Sequence, residues 1–95
     1  MLSMAATVAR MVYYSGQVQG VGFRATTLHI AQRYAVNGWI RNMADGRVQL
    51  WAEGASEVVD AFLQAVRNYW HDYLSGEECR DQPVNGRLSG FTITR

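Results

Sequence analysis

The stretch GQVQGVGFR, Gly16 to Arg24, gathers the residues of this chain best suited to chemistry. Three glycines in seven residues let the backbone take positive φ and let N–H groups converge with no Cβ in the way. A helix starting where such a loop ends adds the positive end of its macrodipole, equivalent to about half an elementary charge. Arg24 adds a full charge and a planar fork of donors. The amides of Gln19, Gly20, Val21, Gly22 and Phe23, with the Arg24 guanidinium, would thus suit an anion of phosphoryl size. From this segment alone, a glycine-rich turn bearing a surface arginine reads the same way. Gly20, Gly22 and Ala25 also satisfy the GxGxxA dinucleotide fingerprint, but that motif belongs to a longer parallel sheet than this chain has room for. The NTPase phosphate loop is excluded, because it needs a lysine and the chain has none.

A second candidate is Asn42, just before the turn MADG. A helix of about 11 residues at ~1.5 Å per residue runs back roughly 16 Å, the length of a strand of five or six residues returning the same way. The strand after the first helix should therefore end on the sheet edge that carries the glycine loop, as a parallel neighbour of the first. Its terminal carboxamide both donates and accepts, so it could orient a water beside a phosphorus bound at Arg24. Asparagine is also simply common near turns.

The elements that must position these residues are legible in outline. Thr7 to Ser15 mixes valine, methionine and tyrosine with little polarity, and predicts a central strand buried on both faces. Phe23, Thr27, Ile30 and Tyr34 recur at helical spacing and predict a helix over 25–35, stopped by Asn37-Gly38. Trp39 to Asn42 and the alternating Val48, Leu50 and Ala52 form a hairpin about Asp45-Gly46. Ser56 is an N-cap for a second helix with Val59, Phe62, Leu63, Val66 and Trp70 inward, and FTITR closes as a strand. The order is that of a ferredoxin-like α+β sandwich, an antiparallel sheet of four to five strands with two helices on one face. Between Gly76 and Pro83 only Cys79 is apolar, so a strand there would be a charged edge.

Composition bounds the alternatives. The chain has 95 residues, 48% hydrophobic and 18% charged, which fits one folded domain over 7–95 behind a flexible tail of residues 1–6. A net charge of +1 removes the footprint of a general nucleic-acid or membrane-surface binder. A single cysteine, Cys79, permits no intramolecular disulfide and no paired-cysteine zinc site, and nothing near it reads as an activator of a thiolate. His29, His71 and Asp45 read as surface or turn residues rather than proton acceptors. With no apolar run long enough for a membrane span and no leader pattern, the expectation is a soluble, cytoplasmic protein.

Taken together, GQVQGVGFR at 16–24 and GWIRN at 38–42, followed by Gly46, Val48 and Gly54, resemble the two signature motifs of the acylphosphatases, and SGFTITR resembles that family's closing strand. Gln17, where many members carry a basic residue, and Ile40, where a smaller one is usual, depart from the pattern. The resemblance implies hydrolysis of the carboxyl-phosphate bond of small acyl phosphates, without metal or cofactor. It further implies that Arg24 binds phosphate and Asn42 positions the attacking water. The competing class is a ferredoxin-like module that holds a phosphorylated ligand or RNA without chemistry, with Trp39, Trp51 and Tyr13 as stacking aromatics. The expected partner is the small-molecule substrate alone, with no nucleic acid and no membrane. The chain is read as a monomer, with Tyr69, Trp70 and Tyr73 as the surface through which a dimer would form.

Overall fold

A computed structural model describes residues 6–95. The elements run β1 (Thr7–Gly16), α1 (Phe23–Ala31), β2 (Asn37–Asn42), β3 (Val48–Ala55), α2 (Ser56–Trp70), β4 (Leu74–Gln82) and β5 (Phe91–Ile93). They form one five-stranded sheet in the order β4-β1-β3-β2-β5, covered on one face by the two helices. The sheet is mixed rather than antiparallel throughout, because β5 lies parallel to β2. The expected tail falls almost wholly on residues 1–5, outside those described. Its last residue, Ala6, accepts the Ser56 N–H through its carbonyl at 2.9 Å.

β1 is an inner strand, but β3 takes the centre. Nor is β1 buried on both faces: Val12 and Tyr14 point into the core, while Met11 and Tyr13 lie half-exposed on the other side. Both helices sit on one face, so the run of apolar residues in β1 outlasts its burial. β3 has Val48, Leu50 and Ala52 fully buried beneath the helices, as its sequence predicts, but Gln49 and Glu53 on its other face are buried as well.

α1 begins two residues earlier and stops four earlier than its periodicity suggests. Gly22 caps it at φ 79°, ψ 18°, and tight turns from Arg33 to the Ile30 carbonyl and from Tyr34 to that of Ala31 end it. Tyr34 keeps the helical spacing because its ring still meets Phe62, 5.9 Å between centroids, after the chain has left the helix. All five predicted inward residues of α2 are buried. Ser56, however, is the first helical residue and not the cap. Ala55 holds that position with no side-chain bond, and Glu57 in the first turn suits the dipole.

Phe23 joins the helix mouth to the core. Its ring lies between Tyr14 (5.2 Å) and Trp70 (4.9 Å), and it is 1% exposed. The charged 74–82 stretch is an edge strand, paired with β1 from Ala9 to Gly16. It is tied to α2 by a two-pronged contact from Arg67 to Glu77, at 3.1 and 2.6 Å. Cys79 on this strand is an exposed free thiol, which burial of its local surroundings pushes up, away from the reactive thiolate.

The other face of the sheet is partly covered by the segment 83–90. Its amides at Asn85 (3.1 Å) and Gly86 (2.7 Å) donate to the Glu53 carboxylate, which also accepts from Trp51 Nε1 at 2.9 Å. Burial pushes Glu53 up, but these three donors outweigh it and hold the carboxyl below its ordinary value. Such a group adds stability that is complete above the ordinary carboxylate range and disappears as pH falls through the lowered folded value. We expect Glu53→Gln to cost about 1–3 kcal/mol in chemical denaturation at neutral pH. It should also speed amide exchange at Asn85 and Gly86; wild-type protection at both would show that the carboxylate does not hold this segment.

Candidate active site

β1 and β2 are each antiparallel to β3 and therefore run the same way, but they are not neighbours, since β3 lies between them. Val48 on β3 faces Tyr14 on one side and Asn42 on the other. Two strand spacings therefore put Asn42 about 10 Å across the sheet from Tyr14, level with the point where β1 is about to enter the glycine loop. Asn42 alternates in phase with the buried Ile40 and so faces the helices.

Between the loop, the α1 mouth and the end of β2 lies a cavity of about 200 Å³ lined by Val18, Gly20, Gly22, Phe23, Arg24, Ala25, Asn42 and Ile93. At about 30 Å³ per water it can take a phosphoryl group with a water beside it. Four larger spaces, near 470, 460, 330 and 260 Å³, contain neither Arg24 nor Asn42.

Three features equip the cavity for an anion. The α1 mouth has no acidic residue in its first turn and no side chain capping it, so the dipole's positive end is left uncompensated. Of the backbone N–H groups from Gln17 to Thr26, only those two meet a backbone acceptor among the described residues, at the Tyr73 and Gly22 carbonyls. Arg24 forms no ion pair with any described carboxylate. Opposite these donors, the Asn42 Oδ1 is buried and has no hydrogen-bond partner. A buried acceptor left unpaired costs on the order of 1–3 kcal/mol, a cost a bound water or ligand would relieve.

Of the residues expected at the site, Arg24, Asn42, Gly20, Gly22 and Phe23 line the cavity. Gln19 and Val21 do not. Val21 is 41% exposed, and the Gln19 side chain turns to the hairpin, donating from Nε2 to the Met43 (2.9 Å) and Arg47 (3.0 Å) carbonyls. Gln19 thereby ties the loop to the turn that follows Asn42. Val18, Ala25 and Ile93 were not anticipated. Ile93 arrives because β5 pairs in parallel with β2, opposite Ile40, a register no local pattern announces.

The turn behind Asn42 is held by Asp45, which accepts from the Arg47 backbone N–H (3.1 Å) and Nε (2.9 Å). The backbone bond, then the side-chain one, lowers its pKa, which suits a turn residue rather than a proton acceptor. On the open face, the aromatics considered for base stacking are already engaged. Tyr13 lies under Arg47 and Arg80, at 4.9 and 5.7 Å, and Trp39 stacks with Trp51 at 6.4 Å.

A family model described as Acylphosphatase matches residues 10–93. The chain belongs to the acylphosphatase family. It is 39% identical over 88 residues to an acylphosphatase of Rubrobacter xylanophilus, covering 86% of this chain and 76% of that protein. It is 37% identical over 91 residues to one from Pseudomonas paraeruginosa, covering 95% and 99%. The crystal structure of acylphosphatase from Bacillus subtilis superposes with a TM-score of 0.83 at 27% identity, covering 93% of this chain and 99% of that one. The α+β sandwich read from the sequence is thus the family's fold. No helix among the described residues is long and apolar enough to cross a membrane.

Gly20 and Gly22, at φ 80° and 79°, have open space where a Cβ would project, so what excludes other residues there is backbone conformation rather than crowding. Gly22→Ala should therefore cost about 1–2 kcal/mol and misdirect the α1 mouth. A variant as stable as wild type in chemical denaturation would contradict this account of the cap.

Proposed function

We propose that this acylphosphatase family member hydrolyses small acyl phosphates to a carboxylate and inorganic phosphate, using Arg24 and the loop amides to bind phosphate and Asn42 to place the water. The observation that carries this reading is that Arg24 and the unpartnered Asn42 carboxamide line one phosphate-sized cavity. The names of the relatives agree with it.

The chemistry asks little of the protein. A carboxylate is a good leaving group, so positioning and charge stabilisation suffice. In a loose phosphoryl-transfer transition state, negative charge spreads over the equatorial oxygens, where the amides and the guanidinium would meet it. Asn42 accepts a hydrogen bond from the water through Oδ1 and holds it in line with the breaking P–O bond. As the water oxygen bonds to phosphorus, its proton passes to a phosphate oxygen of the substrate and the carboxylate departs with the bonding electron pair. Breathing room for this exchange comes from the cavity, whose volume of about 200 Å³ would accommodate a phosphoryl group and one water together.

At the end of α2 Trp70 is 4% exposed, while Tyr69 and Tyr73 are exposed and each packs edge-on against it. The protein is read as a monomer, for which sedimentation independent of concentration is the expected behaviour; self-association lost in Tyr73→Ser would instead mark these rings as a dimer surface.

The direct test is hydrolysis of acetyl phosphate with chelator present, against a phosphate monoester as control. Arg24→Ala should lose both affinity and turnover, and Arg24→Lys should recover little, because an ammonium cannot reproduce the fork. Asn42→Ala should lower kcat by about 10²-fold or more while leaving thermal stability unchanged or raised, since the Oδ1 it removes has no partner to lose. Wild-type kcat in the Asn42 variant would remove the water-positioning role.

A further inference from the structure

Beside the phosphate cavity lies a groove of about 330 Å³ lined by Ala25, Thr26, His29, Ile30, Arg33 and Tyr69. Ala25 lines both spaces, so the two meet at the mouth of α1. The side chain that the two spaces share there is a methyl, the smallest wall a side chain can make. Beyond Ala25 the walls are chiefly apolar: Ile30 forms the floor, and the 61% exposed ring of Tyr69 stands at the side. The Tyr69 ring is held edge-on to the buried Trp70, 5.0 Å between centroids, so an exposed aromatic face is kept in place rather than left to swing.

No carboxylate lines the groove, and its far end carries Arg33, which makes no ion pair with any described residue. Ala25 and His29 are four residues apart on one side of α1, and Arg33 lines the same groove from the turn after the helix. From Ala25 to the end of α1 at Ala31 the helix rises about 9 Å, and Arg33 follows in the turn beyond it, at the end of the groove away from the phosphate cavity.

Resting on the phosphatase reading of the neighbouring cavity, we propose that this groove seats the acyl part of the substrate. It selects acyl phosphates with a flat or compact apolar body ending in an anionic group at the Arg33 end of the groove. Tyr69 packs against the body, and Arg33 pairs with the distal anion. Acetyl phosphate, too short to leave the phosphate cavity, is indifferent to both residues.

The test compares acetyl phosphate, benzoyl phosphate and 4-carboxybenzoyl phosphate as substrates of the wild type and of Arg33→Gln, Arg33→Lys and Tyr69→Ala. Arg33→Gln should lower kcat/KM for 4-carboxybenzoyl phosphate about threefold to fivefold relative to benzoyl phosphate, through KM, with Arg33→Lys restoring part of it. Tyr69→Ala should lower kcat/KM for both aromatic substrates about threefold to tenfold relative to acetyl phosphate. Substrate ratios unchanged in both Arg33→Gln and Tyr69→Ala, with acetyl phosphate still hydrolysed, would overturn the groove assignment and leave the phosphatase reading standing. Failure of the wild type to hydrolyse any of the three would overturn both.

Discussion

The packing of one ring governs the geometry of this protein. Phe23 is the first residue of α1 and is wedged between Tyr14 of β1 and Trp70 at the end of α2. Full burial of such a side chain contributes about 1.5–3 kcal/mol, but its position matters more than its magnitude. It fixes where the helix starts, and thereby where the dipole points and where Arg24, the next residue, emerges. The loop before it can then be all amide and glycine, with little packing of its own beyond the buried Val18, because its far end is held by the core.

Around that wedge the molecule tolerates unpaired polar groups in a pattern that makes sense for an anion site. The loop donors lack backbone acceptors, the guanidinium lacks a carboxylate, and the Asn42 Oδ1 lacks a donor. The buried Asn42 oxygen is a small loss of stability, while the exposed loop amides and the half-exposed guanidinium are open to water. The remainder of the fold offsets such losses by conventional means: helix-covered β3, the Arg67 to Glu77 clasp on the edge strand, and the Glu53 carboxylate that gathers three donors from across the open face. The bond from Gln19 to the Met43 and Arg47 carbonyls belongs to the same division of labour, because it satisfies the hairpin while leaving the cradle unsatisfied.

How much of this was legible in the chain follows from where each signal is local. The glycine spacing announced the positive-φ loop before α1, the periodicity of Val59 through Trp70 announced α2, and Asp45-Gly46 announced the hairpin. These are decisions made within a few residues. The end of α1 was misjudged because Tyr34 satisfies helical spacing while packing from a turn. β4 carries almost no pattern, since an edge strand needs only one hydrogen-bonded neighbour and little burial. The capture of segment 83–90 by Glu53 and the parallel register that delivers Ile93 join residues far apart in the chain, and neither leaves a trace in any window of sequence. The acyl groove was illegible for the same reason, since Tyr69 reaches α1 only after α2 has docked.

The placement of β3 between the strands that carry the two halves of the site has a kinetic corollary. Tyr14 and Asn42 share no hydrogen bond and are brought level only because each is in register with Val48. A chain with either ladder unzipped contains every residue of the site and no site. Turnover would therefore report completion of the sheet: the activity of a refolding population would lag behind its helix content, and slippage of one ladder by a residue would turn that strand's core side chains to the opposite face, losing the packing together with the site.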